Sequence, residues 1–580
     1  MSKDGSSRSR RRRAAGARDA AAPGARREPS AGFPDAAVAD LQRIAARPGV
    51  RAFAALLVLG AFAIQGAVAA RTNTPTPDEF VYVPEGYYHL RTGDLSFDPT
   101  NPPLLKMAMA APLLAMNVTL DTDPRWRDER TGWGPWTFGT RFMNQNREHY
   151  LDAFFAARLV VLAVAVGLGV LVFRRARAVL SPVGAIAALV LYGTAAPILA
   201  HASLATLDVG VSALMFASLL ALERFAKRQD AWSAGGTGLL LGFALAVKGV
   251  AALFFPLVPI LLAISWKSWD RDGWRRLGAG AAAMAAGAWL AVEAAYGFSG
   301  FPLPAPLLDG VRFQVEASSA GEFPAFLYGE WSQTGWWSYY AVALALKTPI
   351  PMLVLIAVGL VATARLWRDP ETPWIVVPPL FLVYVLSFHY GKNYGIRYLL
   401  PAFPFLVLLA GRGVDALLGL RRHGVKVVGA LLAWQIAACV FATPHHLAYF
   451  NELGGGPDEA RRALLDSNLD WGQDLGRLKK YLDEHGIDHI CLGYFGHVDP
   501  HVYGIEYSFP PNVPTAGRCA VSANFLAGYP YGITYAGEGV LAVPPDAWTW
   551  FDRFQPIARV GSSIYVFDIS EADVRALTGS

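Results

Sequence analysis

Thr76-Pro77-Asp78-Glu79-Phe80 continues through Glu85-Gly86-Tyr87-Tyr88-His89 to Asn101-Pro102-Pro103-Leu104-Leu105-Lys106. The stretch follows the first long apolar segment directly. That segment, Ala52 to Ala70, is about 19 residues long, enough to cross a bilayer. Two adjacent carboxylates, several aromatics and a lysine therefore stand at a membrane boundary. Before the span, residues 1–50 hold Arg8, the run Arg10 to Arg13, and further Arg among Ala, Gly and Pro, which reads as a disordered basic arm. The apolar core is too long for a signal peptide. With Arg51 and the arm ahead of it, the N-terminus is expected in the cytoplasm. Residues 71–150 then form a first external loop. Trp126, Trp133 and Trp136 suit an interfacial position there, and Leu104 to Leu114 reads as a run lying in the interface plane.

The rest of the chain agrees with a membrane protein. Of its 580 residues 53% are hydrophobic and 17% charged, against roughly 25% charged in soluble domains. The net charge of +5 comes largely from the arm and the loops, and does not point to nucleic acid. Further spans are expected near 151–173, 182–200, 203–222, 235–248, 250–266, 277–296, 337–364, 374–390, 398–411 and 425–443. The stretch 235–266 reads either as a hairpin or as one long tilted helix. Arg174 to Arg177, Arg224 to Arg228, Lys267 to Arg276, Arg365 to Arg368 and Arg412 to Lys426 are basic loops that all fall on one side. This asymmetry supports about eleven spans, residues 51–443 forming the membrane domain. The odd count puts residues 444–580 outside as a small α/β domain. Within it, Glu459 to Tyr481 reads as an amphipathic helix stopping by Gly486. Ile490-Cys-Leu-Gly-Tyr and Ser563-Ile-Tyr-Val-Phe read as strands. Cys491 and Cys519 have two readings, a disulfide in an oxidising compartment or two buried thiols.

Asp78-Glu79, Gly86-Tyr87-Tyr88 and Asn101-Pro102-Pro103-Leu104-Leu105-Lys106 resemble the first external loop of family 39 glycosyltransferases. These are GT-C enzymes related to protein O-mannosyltransferases and lipid A aminoarabinose transferases. The family's usual His-Pro-Pro-Leu has Asn101 in place of His here. Lys392-Asn393-Tyr394-Gly395-Ile396-Arg397-Tyr398-Leu399-Leu400-Pro401 resembles a segment of the bacterial members. Asp466-Ser467-Asn468-Leu469-Asp470-Trp471-Gly472-Gln473-Asp474 resembles the start of the external domain in a bacterial subgroup. Each motif is short, and the combination carries the resemblance. It implies a multi-pass enzyme of the bacterial inner membrane that moves a sugar from a polyprenyl-phosphate carrier to an external protein, lipid or cell-envelope glycan. It implies Asp78 as general base, Glu79 as an orienting or donor-binding group, and Tyr88 and Tyr398 in the substrate site.

The chemistry is consistent with this. A phosphate-linked sugar carries its own leaving group, so one carboxylate acting on the acceptor hydroxyl suffices. The acid pair of glycoside hydrolysis is not required. The product is expected to be inverted at the anomeric carbon. The lipid phosphate needs cations, and Lys106, Lys248, Lys392 and Arg397 are the candidates. Lys248, inside an apolar block, is a functional candidate by its cost; the bland alternative is snorkelling at a span end. Arg397 suits bidentate phosphate contact; its alternative is a topology or ion-pair residue. Asp208 is expected in the donor or acceptor site, or as a structural partner of a basic residue. Tyr494, Phe495, Tyr503, Tyr507 and Tyr529 offer aromatic faces for an acceptor or brace the outer loops. His445, His446, His497 and His501 read as surface histidines, since they lack zinc-site spacing. No cofactor is expected beyond the donor, although Asp78-Glu79 has the donor set for a divalent cation. A lipid or solute transporter is the second reading of the many spans and intramembrane charges. It lacks the paired halves common in transporters and leaves the Asp78 loop idle.

Overall fold

The structure, a computed structural model, describes residues 36–122, 134–265, 272–320, 324–365, 369–388, 393–535 and 540–578. Among the described residues six helices are long and apolar enough to cross a membrane: Pro48–Thr72, Tyr150–Val179, Asp208–Arg228, Gly273–Ala295, Ile396–Leu418 and Arg421–Ala442. Two bent helix pairs raise the number to eight if each pair is one span. This is the helix set of a multi-pass membrane protein. Ile396–Leu418 is the central strut, with 89% of its apolar window buried, whereas Arg421–Ala442 and Pro48–Thr72 show most of theirs outward.

Several expected spans take other forms. Residues 337–364 are not one helix: Tyr339–Lys347 and Ile350–Arg365 meet at 119°. Pro349 lies in the break and Pro351 in the first turn of the second helix, where prolines remove the amide donors a continuous helix needs. Pro182–Gly193 and Ala196–Ala202 bend by 53°. The stretch 235–266 breaks into Ala231–Leu245, a 3-10 turn Gly249–Phe254 and Leu257–Ser265. Lys248 sits in the break with extended backbone.

The first external loop is largely helical. Pro77–Thr92 begins on a capping box in which Thr76 and Glu79 satisfy each other's backbone amides. Pro103–Ala110 runs on into a 3-10 turn, Ala111–Ala115. These two helices touch at Gly86, where a Cβ atom would meet the Lys106 carbonyl oxygen at 2.0 Å. Of the three loop tryptophans, Trp126 and Trp133 lie outside the described residues. Trp136 packs on Phe80 and on His497 of the C-terminal domain.

The C-terminal domain carries a mixed five-stranded sheet. Its strands are β1 (His489–Gly493), β2 (Glu506–Ser508), β3 (Gly517–Ser522), β4 (Ala558–Val560) and β5 (Ile564–Ile569), in the order β2-β1-β3-β5-β4. Both expected strands are present as β1 and β5. Cys491 and Cys519 stand opposite each other on the parallel pair β1 and β3 and are disulfide-bonded. The expected helix over 459–481 is reduced to two short pieces, Gly456–Ala460 and Leu475–Glu484, the second ending before Gly486. Residues 461–474 instead form a turn, largely buried from Ala463 on, with Asp466 and Gly472 at positive φ, a conformation that leaves the helical region. Tyr494 and Phe495 are buried in the domain core, so they offer no face to an acceptor. His497 and His446 are likewise buried rather than on the surface. His497 is held between the hydroxyls of Thr534 and Tyr531, at 2.8 and 2.7 Å.

Candidate active site

The site is built on the first turn of Pro77–Thr92, where Asp78 and Glu79 part company. Glu79 is fully buried. Its Oε1 accepts from Arg158 Nε at 2.6 Å and from the Ala205 amide at 2.7 Å. Its Oε2 accepts from Arg158 Nη2 at 2.7 Å and from the Thr76 amide and hydroxyl at 2.9 and 3.0 Å. Arg158, from the apolar helix Tyr150–Val179, also donates to the carbonyls of Ala70, Asn73 and Thr74. Glu79 is therefore an internal pin joining the end of one span, the start of the next helix and the turn 203–208. With five protein donors on its two oxygens it matches the orienting alternative of the two the resemblance implies, rather than the donor-binding one.

Asp78, one residue earlier, faces the other way, with its side chain one-fifth exposed against none for Glu79. Its Oδ2 accepts from Arg397 Nη1 at 2.5 Å. From this pair a row of charges and rings runs into the membrane domain. The Arg397 guanidinium lies 4.4 Å from the Trp471 ring centroid and 5.5 Å from that of Tyr398. Lys248 Nζ lies 4.5 Å from the same Tyr398 ring and donates to Asp208 Oδ1 at 2.6 Å. Lys248 is buried, so it is not snorkelling; it is held by a carboxylate and an aromatic face. The His201 ring packs edge-on to Trp471, with centroids 6.3 Å apart.

The turn 466–474 roofs this row. Asn468 Oδ1 accepts from the Ile396 amide at 3.0 Å, and its Nδ2 donates to the Tyr339 hydroxyl, which accepts from the Gly395 amide. Ser467 donates to the Tyr394 carbonyl. Gly395, at φ 88°, passes so close that a Cβ would meet Ser467 Oγ at 2.4 Å. At the far end of the turn the Gln473 carbonyl accepts from the Thr74 amide at 2.9 Å. The three segments that carry the family resemblance, some 300 and 70 residues apart, thus meet at one place.

Asp470, inside the same turn, accepts from the Gly472 amide at 3.2 Å. Burial pushes its carboxyl up from 3.8 to about 7. The folded protein keeps this proton at pH values where the unfolded chain has released it. The favourable contribution of Asp470 is complete below about pH 4 and is lost as the pH rises through 7. Unfolding curves between pH 4 and 8 should therefore show wild-type stability falling relative to Asp470→Asn as the pH rises. Parallel profiles would show that the carboxyl titrates normally.

Not every expected residue joins the row. Lys106 is fully buried and bonded to Glu85 Oε2 at 3.0 Å, with Asp98 Oδ2 at 3.7 Å, so its charge is neutralised within the loop. Tyr88 donates to Asp94 and packs edge-on against Phe97 and Phe138, away from Asp78 and Arg397. Lys392 lies outside the described residues. Asp78, Asp208, Lys248, Arg397 and Tyr398 are brought together. Residues that the sequence reading passed over are Arg158, His201, Trp471 and Tyr82. Tyr82 stands one turn after Asp78 and feels the charges of Asp78, Arg397 and Asp208. Among the described residues no group of three or more His, Cys, Asp or Glu side chains has the arrangement to hold a metal ion.

No family model and no curated protein matches the chain. Nine chains of solved structures match, among them the two that follow. One is ArnT from Cupriavidus metallidurans in the apo state, at TM-score 0.47 and 13% identity, covering 88% of this chain and 97% of that one. The other is ArnT from the same organism bound to undecaprenyl phosphate, at TM-score 0.43 and 13% identity, covering 89% and 98%. Likeness at this level says nothing of the chemistry here.

Proposed function

We propose that the protein is an integral-membrane, inverting glycosyltransferase of the GT-C type, akin to family 39. It moves a sugar from a polyprenyl-phosphate donor to a hydroxyl of an external protein, lipid or cell-envelope glycan. The observation that carries this reading is the pairing of one accessible carboxylate, Asp78, with a row of two cations, Arg397 and Lys248, at the mouth of the membrane domain. In the reaction the acceptor oxygen attacks the anomeric carbon. The bond from that carbon to the phosphate oxygen breaks, its electron pair leaves with the lipid phosphate, and the acceptor proton passes to Asp78. Arg397 and Lys248 meet the phosphate charge.

In this reading the N-terminal arm is cytoplasmic and the C-terminal domain lies outside the inner membrane, where a disulfide is at home. An eleven-span layout has the shorter apolar helices, Ala231–Leu245, Gly249–Ser265 and Thr372–Phe388, cross as well. The donor needs no metal, and Asp78 holds the proton.

Purified protein given radiolabelled polyprenyl-phosphate sugars and a cell-envelope extract should label the extract. Lipid movement across a bilayer without any transfer would favour a transporter instead. Arg397→Gln and Lys248→Met should each weaken binding of bare polyprenyl phosphate by roughly 10- to 100-fold, the worth of one charged hydrogen bond. Unchanged affinity in both variants would remove the cations from the phosphate site.

A further inference from the structure

We infer that the segment His201–Asp208, the end of helix Ala196–Ala202 and the turn after it, is the subsite for the sugar of the donor, and that His201 and Thr206 read its hydroxyl groups. This rests on the glycosyltransferase reading above. Four buried polar atoms on this one segment have no hydrogen-bond partner among the described residues: His201 Nδ1 and Nε2, Thr206 Oγ1 and Asp208 Oδ2. All three residues are at least 98% buried. Buried polar atoms are normally paired, and those left unpaired are a sign of a ligand or a catalytic role. The turn is anchored to the catalytic helix, because the Ala205 amide donates to Glu79 Oε1 at 2.7 Å. Its far end is held by the Asp208 bond to Lys248 at 2.6 Å.

The chemistry of the four atoms selects the ligand class. A phosphate accepts hydrogen bonds only and would be repelled by Asp208 Oδ2. A neutral imidazole offers one donor and one acceptor, a threonine hydroxyl offers both, and a carboxylate oxygen accepts. This balance of donors and acceptors matches a polyhydroxylated ring, in which each hydroxyl also does both. Trp471, buried between His201 and the Arg397 guanidinium, ties this segment to the phosphate-side cation. The phosphate then lies toward Arg397 and Lys248, and the sugar toward His201.

The test compares two ligands on the full chain in lipid nanodiscs: bare polyprenyl phosphate, and the same lipid carrying each of a panel of hexoses and pentoses. Wild type is expected to bind one sugar-bearing lipid more tightly than the bare one. His201→Leu and Thr206→Val should each cut that preference about tenfold while leaving the bare lipid within twofold. His201→Gln, which keeps one donor and one acceptor, should retain part of it. If both affinities fall together, the turn is structural and the inference fails. It also fails if wild type binds the phosphate with no preference for any sugar, or if the variants keep the full preference. If wild type binds no polyprenyl phosphate at all, the glycosyltransferase reading falls and takes the subsite with it.

Discussion

Arg158→Met is expected to destabilise the protein by about 3–5 kcal/mol, the cost of breaking a buried ion pair from one side. The side chains of Arg158 and Glu79 are 2% and 0% exposed. Removing the guanidinium strands the Glu79 carboxylate and three carbonyls, those of Ala70, Asn73 and Thr74, without their donor. The capping box keeps Oε2 partly satisfied, but the charge itself is uncompensated. The effect should reach the site, because Glu79 adjoins Asp78 and holds the turn 203–208 through Ala205. Thermal unfolding in detergent should show a large drop in Tm, with donor binding lost at temperatures where wild type is intact. The double variant Glu79→Met with Arg158→Met should recover a good part of the stability, since an apolar pair of similar volume leaves no stranded charge. A single variant that melts with wild type would mean that the pair is not the pin described here.

The second large effect is on the reaction. Asp78→Asn keeps the shape of the side chain but takes away the group that accepts the proton. General-base catalysis is worth roughly 10²–10⁴ in rate, so transfer should fall by that factor. The substitution also removes the negative charge opposite Arg397. With that competitor gone, the guanidinium is freer to meet a phosphate, and donor binding should be kept or strengthened. Loss of transfer with retention of donor separates a missing base from a collapsed site.

Much of this site was legible because charge inside apolar sequence is costly and so stands out. Lys248 and Asp208 were visible for that reason, and Arg397 for its place at the mouth of a span. Arg158 carried the same signal, an arginine near the start of an apolar helix, and it was passed over. Lys106 shows the limit of the signal. Its charge is real and buried, but the partner that cancels it, Glu85, sits on a neighbouring helix, and only the contact between the two helices at Gly86 brings them together. His201 was not legible, and Trp471 only as part of a motif, because their packing on each other is a contact across 270 residues. The break in 337–364 was written in Thr348-Pro349-Ile350-Pro351, where two prolines outweigh the apolar run. The turn 466–474 defeated a helix reading because its polar side chains serve as tertiary hydrogen-bond partners of Ile396, Tyr394 and Tyr339 rather than as a solvated face.

The most direct test is sugar transfer from a polyprenyl-phosphate donor by wild type and Asp78→Asn, with folding and donor binding matched between them. Transfer by wild type to an anomerically inverted product, together with an Asp78→Asn variant that holds the donor and fails to transfer it, is the predicted result. Equal transfer by both proteins would contradict the account, leaving Asp78 as the counter-ion of Arg397 and nothing more.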